Sequence, residues 1–337
     1  MWQIVIKSIE ILRENINLSK KGNGMQGIHI VATGRALPAK IVTNDDLSQI
    51  MDTSDEWIRS RTGIGQRHQC ETETCASLAI EAAKAAVEKA GIEIEQIGAV
   101  IVATTTADYA FPNTACLVQK ALGLSNEVMA FDMTAACTGF VYGLNVCRGL
   151  LLGSNKKYAL LIGAEQLSRI LDYSDRSSCV LFGDGAGAAV LTLSDALFVH
   201  RAWADGDADK EALSCLGPGN DGAHLMMEGK LVFRFAVKAL RQGIDAVLAD
   251  AGLTIEDVDY IVCHQANERI IESVRKKYDV SADKFYVNIE KYANTSAASI
   301  PIALDEMFEK GMLKPGMKVV CVGFGAGFTW SGTLITI

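Results

Sequence analysis

The chain has 337 residues, of which 49% are apolar, and its formal net charge is −8 at pH 7. This size and composition allow a large core in one or two domains, and the acidic balance argues against a broad nucleic-acid-binding face. The nine cysteines are scattered, with no C-x-x-C pair and no His/Cys cluster at metal-ligand spacing. They predict reduced thiols in a cytoplasmic enzyme, with neither a disulfide framework nor a metal site.

The N-terminal segment, residues 1–24, is expected to be an extension outside the fold. Its apolar residues recur at helical spacing, but Lys7, Glu10 and Arg13 interrupt them, so the segment lacks the uncharged centre of a signal peptide. The first strand-like run, G-I-H-I-V-A-T-G, begins only at Gly27, and Met25 is an alternative start. No segment of the sequence has the roughly 18 continuous apolar residues of a membrane span.

A distant internal repeat divides the remaining chain into two halves. K-A-G-I-E-I-E-Q-I-G-A-V-I-V (89–102) recurs as D-A-G-L-T-I-E-D-V-D-Y-I-V-C (250–263), an offset of 161 residues that two further matches share. Each copy has the pattern of a helix that ends at a glycine and is followed by a buried strand, which predicts a duplicated α/β unit. We expect an N-terminal half at 25–199 and a C-terminal half at 200–337.

Three chemically versatile residues break the symmetry of this repeat. At the same offset, the other half has alanine or methionine in place of Cys137, His264 and Asn294. Taken singly, a buried cysteine, a hydrogen-bonded histidine and a helix-capping asparagine are the commoner explanations. Core packing gives no reason why each of the three should occur in only one of the two halves. A single active site between two similar halves does give a reason.

The segment D-M-T-A-A-C-T-G-F (132–140) lies between a strand pattern and a helix pattern. A cysteine there would stand at a helix N-terminus, where free backbone N–H groups and the helix dipole favour a thiolate. The other eight cysteines are expected to be buried or away from a helix N-terminus. Cys137 is therefore predicted to be the reactive thiol.

Six segments, in this order along the chain, resemble the β-ketoacyl-acyl-carrier-protein synthase III family of thiolase-like condensing enzymes. They are D-T-S-D-E-W-I-R-S-R-T-G-I (52–64), A-A-C-T-G-F (135–140), F-G-D-G-A-G-A-A-V-L (182–191), H-Q-A-N-E-R-I (264–270), N-T-S-A-A-S (294–299) and G-F-G-A-G-F-T-W (323–330). The resemblance extends from about Ile28 to the C-terminus. It implies an α/β, five-layered αβαβα fold of two duplicated halves, and it implies that Cys137, His264 and Asn294 are catalytic.

The reaction implied by the resemblance is a decarboxylating Claisen condensation that initiates fatty-acid synthesis. Cys137 would take the acyl group of a short acyl-coenzyme A, and malonyl-acyl carrier protein would then lose carbon dioxide and attack the acyl-cysteine. His264 and Asn294 would bind the enolate oxygen, while backbone N–H groups of Cys137 and Ala326 would bind the thioester oxyanion. Ala326 replaces the family's commoner glycine, and its N–H stays available if its φ is negative. Coenzyme A is a substrate here, so no cofactor is implied.

The resemblance also assigns contacts with substrates and partners. The residues implied to bind coenzyme A are Thr53, Trp57, Arg61, Arg176 and Asn267, with the adenine stacked between Trp57 and Arg176. The residues implied to bind the acidic carrier protein are Arg234, Arg269, Arg275, Lys276 and Lys277, for which a solvated helix face is the alternative. Phe111 would close the acyl pocket of the partner subunit in a homodimer.

Other functions remain open at this stage. A relative in secondary metabolism that joins or transfers other acyl groups would use the same three catalytic residues. A thiolase would need a second cysteine where the sequence has Gly323. A papain-like hydrolase shares the Cys/His/Asn set but not the repeat. An acyl-coenzyme A binding module would not need a cysteine, a histidine and an asparagine that each occur in only one half. The sequence does not fix the length of the acyl chain.

Overall fold

The computed structural model describes residues 26–205, 212–217 and 224–337, so the expected extension at 1–24 lies outside the described residues. The strands are β1 (Gly27–Ala36), β2 (Ile41–Thr43), β3 (Gln66–His68), β4 (Ile97–Ala103), β5 (Met129–Met133), β6 (Tyr158–Glu165), β7 (Gly185–Ser194), β8 (Val199–Ala204), β9 (Leu213–Ser214), β10 (Met226–Met227), β11 (Tyr260–Cys263), β12 (Lys318–Gly325) and β13 (Thr329–Thr336). The helices are α1 (Asn44–Ser48), α2 (Asp55–Thr62), α3 (Cys75–Ala90), α4 (Thr114–Ala121), α5 (Gly139–Leu152), α6 (Gly229–Ala251), α7 (Glu268–Arg275), α8 (Ile289–Tyr292) and α9 (Ser299–Glu309).

The repeated helix–glycine–strand unit is confirmed in both halves. Helix α3 ends at Gly91 (φ 59°) and α6 ends at Gly252 (φ 65°), both in the left-handed conformation that glycine adopts without steric cost. A buried strand follows each glycine, β4 in the first half and β11 in the second. The two copies therefore place equivalent strands at equivalent points of two sheets.

The strands form two main sheets of similar topology. The first has the order β1-β7-β6-β4-β5, in which β4 runs parallel to both β5 and β6. The second has the order β11-β12-β13-β8, in which β11 and β12 are parallel. The chain leaves the first sheet at the end of β7 and joins the second at Val199, beside the predicted boundary. The division into residues 25–199 and 200–337 remains a prediction.

Five layers follow from how the apolar faces are buried. Helices α5 and α9 lie between the two sheets, and their side chains share one core with strands of both, as Leu144 and Leu304 do. Helices α3 and α4 cover the outer face of the first sheet, and α6 and α7 cover that of the second. The predicted five-layered αβαβα fold is confirmed. Among the described residues, no helix combines the length and apolarity needed to cross a membrane.

The two halves meet at two short 3₁₀ turns, Ala136–Thr138 and Ser296–Ala298. Glycine allows this approach: a Cβ placed on Gly163 would lie 2.3 Å from the carbonyl oxygen of Ala297. The carboxyl ends of the parallel strands of both sheets point to this place, which is where α/β folds bind ligands.

Candidate active site

A pocket of about 1790 Å³ opens beside the two turns. Cys137, His264 and Asn294 all line it, together with Ser296 and Ala326. Pockets for drug-sized ligands usually measure roughly 300–1,000 Å³, so this one has room for a longer substrate. The three residues that break the repeat symmetry thus come together at one cavity.

Cys137 lies on the turn between β5 and α5. Its thiol donates a hydrogen bond to the Ser296 hydroxyl, with Sγ and Oγ 3.3 Å apart. The preceding residue, Ala136, has a positive φ of 45°, a conformation that costs a non-glycine residue free energy and that often marks functional turns. Burial raises the pKa of the Cys137 thiol to about 12, although the bond with Ser296 lowers it. Burial therefore opposes ionisation of this thiol, while the turn that holds it leads directly into α5, as the sequence predicts. That Cys137 is the reactive thiol stays a prediction.

The other cysteines differ in part from the expectation. Cys116 and Cys215 are exposed, and Cys116 lies in the first turn of α4. The prediction that the remaining cysteines are buried or away from a helix N-terminus is therefore wrong for Cys116, whereas Cys215 follows β9 and lies in no helix. A general alkylating reagent will reach them as well as Cys137.

His264 follows β11 and is held from both sides. Its backbone N–H donates to the carbonyl oxygen of Val322 (2.8 Å), and its Nδ1 lies 2.7 Å from the Ser299 hydroxyl. The Gln265 N–H also donates to that hydroxyl at 3.4 Å. In the tautomer in which the hydroxyl donates to Nδ1, the ring proton is on Nε2. Burial lowers the pKa of His264 to about 3, so the imidazole is neutral.

Asn294 is fixed by its backbone and by its side-chain oxygen. Its N–H donates to Leu181 and its carbonyl accepts from Gly183, so the residue is tied to the first half of the chain. Its Oδ1 accepts the N–H of Ser296 at 2.8 Å, and Ser296 adopts a positive φ of 49°. With Oδ1 occupied, the Nδ2 amide group is the part of Asn294 that is free to serve a ligand as donor.

The glycine-rich turn after β12 packs against the nucleophile. A Cβ on Gly325 would lie 2.9 Å from the backbone nitrogen of Cys137, so only glycine fits there. Among the described residues, the non-glycine residues with positive φ are Ala136, Asp279, Ala293 and Ser296. Ala326 is not one of them, so the condition for its N–H to stay available is met.

The residues expected to bind coenzyme A gather near Trp57 at the pocket. The guanidinium carbons of Arg61 and Arg176 lie 4.7 and 5.1 Å from the centroid of a Trp57 ring. A flat base between Trp57 and Arg176 needs about 7 Å, twice an ordinary van der Waals separation. Arg176 is bound instead to Asp52, through its backbone oxygen and its carboxylate. Stacking of an adenine there requires Arg176 to swing away from Trp57.

The other two residues of this expected set have different surroundings. Asn267 caps helix α7 by accepting the N–H of Arg269 (2.9 Å), and its Nδ2 donates to the carbonyl oxygen of Arg61 (3.1 Å). The hydroxyl of Thr53 is buried and has no hydrogen-bond partner among the described residues. Asn267 lines the pocket, whereas Thr53 and Arg176 do not.

The residues of the expected carrier patch do not form one group. Arg234 and Arg269 line the pocket, whereas Arg275 and Lys276 both pair with Glu272, at 2.6 and 3.5 Å. Lys277 is exposed beyond them. Of the expected carrier patch, the two arginines are therefore the residues that reach the pocket.

Phe111 stands away from the pocket of its own chain. It is 87% exposed, while Tyr109 and Ala110 beside it line the pocket.

Three residues near the pocket were missed by sequence reasoning. Ser296 and Ser299 lie within the motif N-T-S-A-A-S, but their hydrogen bonds to Cys137 and His264 cannot be inferred from it. Glu165 ends the buried strand β6 and is itself 0% exposed. The signal in the sequence that could have identified Glu165 is its place as the last residue of an otherwise apolar strand.

Two family models match the chain. One, described as 3-Oxoacyl-[acyl-carrier-protein (ACP)] synthase III, matches residues 131–204, and its C-terminal counterpart matches residues 248–337. The β-ketoacyl-[acyl-carrier-protein] synthase III of Clostridium acetobutylicum is 46% identical over 322 residues, which cover 92% of this chain and 99% of that protein. The chain belongs to the β-ketoacyl-[acyl-carrier-protein] synthase III family. It is therefore an acyltransferase with a thiolase-like fold.

Solved structures agree with the family assignment. The 3-oxoacyl-[acyl-carrier-protein] synthase III from Aquifex aeolicus VF5 is 42% identical and superposes with a TM-score of 0.87 over 92% of this chain and 100% of that one. A priming β-ketosynthase from the R1128 polyketide biosynthetic pathway is 30% identical, with a TM-score of 0.85 over 93% of this chain and 96% of that one.

Proposed function

We propose that this enzyme condenses a short acyl-coenzyme A with malonyl-acyl carrier protein, releasing carbon dioxide and coenzyme A, as the first step of fatty-acid synthesis in the cytoplasm. The observation that carries the proposal is that a thiol, a neutral imidazole and a carboxamide line one pocket. Coenzyme A takes part as a substrate, and the chemistry derived below uses only side chains and backbone N–H groups.

Cys137 carries the acyl group between the two half-reactions. Its sulfur attacks the thioester carbon of the acyl-coenzyme A, and the carbon–sulfur bond to coenzyme A breaks. The backbone N–H groups of Cys137 and Ala326 stabilise the oxyanion during this step, because Gly325 brings the two turns into contact. The product is an acyl thioester on Cys137 and free coenzyme A.

His264 and Asn294 stabilise the negative charge that forms in the second half-reaction. Loss of carbon dioxide from the malonyl group leaves an enolate, so no base is needed to remove a proton from carbon. Nε2–H of neutral His264 and the Nδ2 group of Asn294 donate to the enolate oxygen. The enolate carbon then attacks the carbonyl carbon of the acyl-cysteine, and the bond from that carbon to Cys137 Sγ breaks. The product is a β-ketoacyl group on the carrier, and the freed Cys137 sulfur takes up a proton from solvent.

Arginine side chains at the pocket contact both coenzyme A and the acyl carrier protein. Coenzyme A enters beside Trp57, Arg61 and Asn267, with Arg176 swinging away from Trp57 and Thr53 nearby. The acidic carrier protein meets Arg234 and Arg269 first, since these two line the pocket. Arg275, Lys276 and Lys277 on or after α7 extend this surface, although Glu272 offsets part of their charge.

The enzyme acts as a homodimer that buries the exposed apolar surface near Phe111. Tyr109 and Phe111 are 59% and 87% exposed, and Met129 on edge strand β5 is 52% exposed. An edge strand beside exposed aromatic side chains is a surface that proteins normally cover. A second copy that covers it would put Phe111 near the partner's acyl pocket.

A second candidate function is priming of polyketide synthesis with another acyl group. The similarity to the R1128 priming β-ketosynthase favours considering it. The chain is 42–48% identical to several β-ketoacyl-[acyl-carrier-protein] synthase III enzymes but 30% identical to the polyketide enzyme, which favours fatty-acid synthesis.

The half-reactions can be tested separately with purified variants. Wild-type enzyme is incubated with a panel of acyl-coenzyme A substrates, from acetyl to octanoyl and branched, and acyl-enzyme is measured by intact mass. Cys137→Ala should abolish acylation. Asn294→Ala and His264→Ala should still acylate but should release carbon dioxide from malonyl carrier about a hundredfold more slowly or worse, because each loses one donor to the enolate.

Cys116→Ser is the matched control, since this exposed thiol lies outside the pocket, and both half-reactions should stay at the wild-type rate. Acylation of the Cys137→Ala protein would contradict the proposal. So would an Asn294→Ala variant that fails to acylate yet decarboxylates normally. The panel also identifies the preferred acyl group.

A further inference from the structure

Ser296 also breaks the symmetry of the repeat. At the offset of 161 residues, its counterpart in the first half is Ala135. Ser296 adopts a positive φ of 49° and is 4% exposed, in the turn of the second half that meets the turn of Cys137. A non-glycine residue in this conformation costs free energy and is common at functional sites. Core packing again gives no reason for a hydroxyl in only one half, and the mechanism above does not use it.

The hydroxyl of Ser296 contacts the sulfur that is proposed to react. Sγ of Cys137 donates to Oγ at 3.3 Å, and among the described residues no other side chain is hydrogen-bonded to this sulfur. Both residues line the pocket. Oδ1 of Asn294 accepts the backbone N–H of Ser296 at 2.8 Å, which fixes the backbone from which the hydroxyl extends. The hydroxyl is therefore held at the reacting atom.

The contact between sulfur and hydroxyl is weak before ionisation and strong after it. A thiol is a weak hydrogen-bond donor, whereas a hydroxyl that donates to a charged sulfur forms a charge-assisted bond. The Ser296 hydroxyl can change from acceptor to donor by rotation about its Cβ–Oγ bond. Burial and the negative charge of Glu165 oppose ionisation of Cys137, and the hydrogen bond with Ser296 favours it. An interaction that is stronger with the charged form speeds a reaction that passes through that form.

We propose that the Ser296 hydroxyl is a further catalytic group, which donates a hydrogen bond to the Cys137 sulfur whenever that sulfur is negatively charged. The inference rests on the function proposed above and adds a residue to its mechanism. The sulfur carries charge twice in that reaction. It is the attacking group in acyl loading, and it is the leaving group when the enolate carbon takes over the acyl group.

Acyl loading balances with water as the carrier of protons. The thiol proton passes to water, and the sulfur attacks the thioester carbon while Ser296 donates to it. The bond from that carbon to the coenzyme A sulfur then breaks, and the coenzyme A sulfur takes a proton from water. Coenzyme A leaves as a thiol, no proton is gained or lost overall, and nothing is oxidised or reduced.

The first test compares the two half-reactions in Ser296→Ala. Acyl loading is measured in single-turnover experiments with the preferred acyl-coenzyme A of the panel, and carbon dioxide release from malonyl carrier is measured without acyl-coenzyme A. Acylation should fall about tenfold to a hundredfold, the usual effect of one hydrogen bond to a charged group. Carbon dioxide release should fall far less, because the backbone N–H that holds Asn294 is kept.

Two other serine variants are the comparisons for this test. Ser299→Ala removes the hydroxyl that contacts His264, so its larger loss should be in carbon dioxide release. Ser281→Ala changes an exposed serine outside the pocket and should leave both half-reactions at the wild-type rate. Opposite patterns in Ser296→Ala and Ser299→Ala would show that each hydroxyl serves a different half-reaction.

The second test follows the charge of the sulfur without any substrate. Alkylation of Cys137 by iodoacetamide is measured at several pH values by mass spectrometry of the peptide that contains it. Ser296→Ala should react at least about threefold more slowly, because a higher thiol pKa lowers the thiolate fraction and only partly raises its nucleophilicity. The substitution removes an atom beside the sulfur, so reduced access cannot explain a slower reaction. In urea, where the contact is lost, both proteins should react at the same rate.

The outcomes are distinct. A Ser296→Ala enzyme that acylates at the wild-type rate would overturn the proposal, as would one whose Cys137 is alkylated as fast as in wild type. Equal losses of acylation and carbon dioxide release would also overturn it, because they would show that Ser296 only supports the turn. If Ser296→Ala does not fold, Ser296→Gly, which suits the positive φ at this position, decides in its place. Failure of the wild-type enzyme to become acylated would overturn the proposed function itself, whereas an unaffected variant beside an active wild type would overturn only the role of Ser296.

Discussion

Two serines determine which way the donors of the pocket point. The Ser299 hydroxyl bonds Nδ1 of His264, and when this hydroxyl donates, the ring proton is on Nε2. The backbone N–H of Ser296 keeps Oδ1 of Asn294 occupied, so its NH₂ group stays free. Donors that are already aimed need no reorganisation when charge develops, which is the main advantage of such a site.

The neutral state of His264 predicts a pH dependence of stability. Its pKa is about 3 in the folded protein against about 6.5 when unfolded, so below pH 6.5 the unfolded chain binds a proton that the folded chain does not. Stability from this residue is fully present above pH 6.5 and is lost as pH falls toward 3. Between pH 7 and pH 5, wild type should lose about 2 kcal/mol more unfolding free energy than His264→Asn, as measured by urea denaturation at both values.

The control for this comparison is His224→Asn, because the His224 side chain is exposed. This variant should lose as much stability as wild type over the same interval. Equal losses in wild type and His264→Asn would contradict the assignment of a neutral buried imidazole.

At the scale of elements, the contact between the turn after β12 and the turn before α5 sets the position of the nucleophile. Gly325→Ala would place a Cβ 2.9 Å from the nitrogen of Cys137 and 3.3 Å from the Cβ of Ala136. Since neither backbone can give way without moving the sulfur or its oxyanion donors, we expect at least a tenfold loss of acylation rate and about 1–3 kcal/mol of stability. Intact mass and thermal unfolding measure the two effects.

Gly149→Ala is the matched control for this glycine. Gly149 lies inside α5, and a Cβ there meets nothing within 4 Å. The substitution should leave acylation unchanged and should raise stability by about 0.5–1 kcal/mol, because alanine is the better helix former. A Gly325→Ala enzyme that acylates like the Gly149→Ala enzyme would show that the two turns do not depend on their close contact.

Elements of this kind were largely predictable, because their signals are local. The glycines after α3 and α6 and the apolar runs of β4 and β11 carry the repeat in the sequence itself. The hydrogen bond between Cys137 and Ser296 spans 159 residues, so no local pattern encodes its existence or its direction. Burial of the thiol likewise depends on both halves, so no local pattern shows how strongly burial opposes its ionisation.

At the scale of the whole molecule, the proposed homodimer predicts a role for Phe111 outside its own chain. Phe111→Asp would place a charge on a surface that should be apolar and buried between subunits, so the variant should shift toward monomer in light scattering. Its acylation should fall as well, since a subunit would lose the residue that closes its acyl pocket. Leu152→Asp is the control: Leu152, 49% exposed at the end of α5, should not change the oligomeric state. A wild-type protein that is monomeric at micromolar concentration would contradict the homodimer.

The use of one pocket by both substrates has a consequence for the order in which they bind. Trp57 and Arg61, which are expected to hold coenzyme A, line the same pocket as Arg234 and Arg269, which are expected to meet the carrier. If coenzyme A and the carrier's acyl group enter by this one pocket, coenzyme A must dissociate before the carrier binds. Free coenzyme A that stays bound then competes with the carrier protein, whereas acyl-coenzyme A acylates the enzyme and so makes it ready for the carrier. By mass action, the cell's ratio of acylated to free coenzyme A then sets how often a new chain is started.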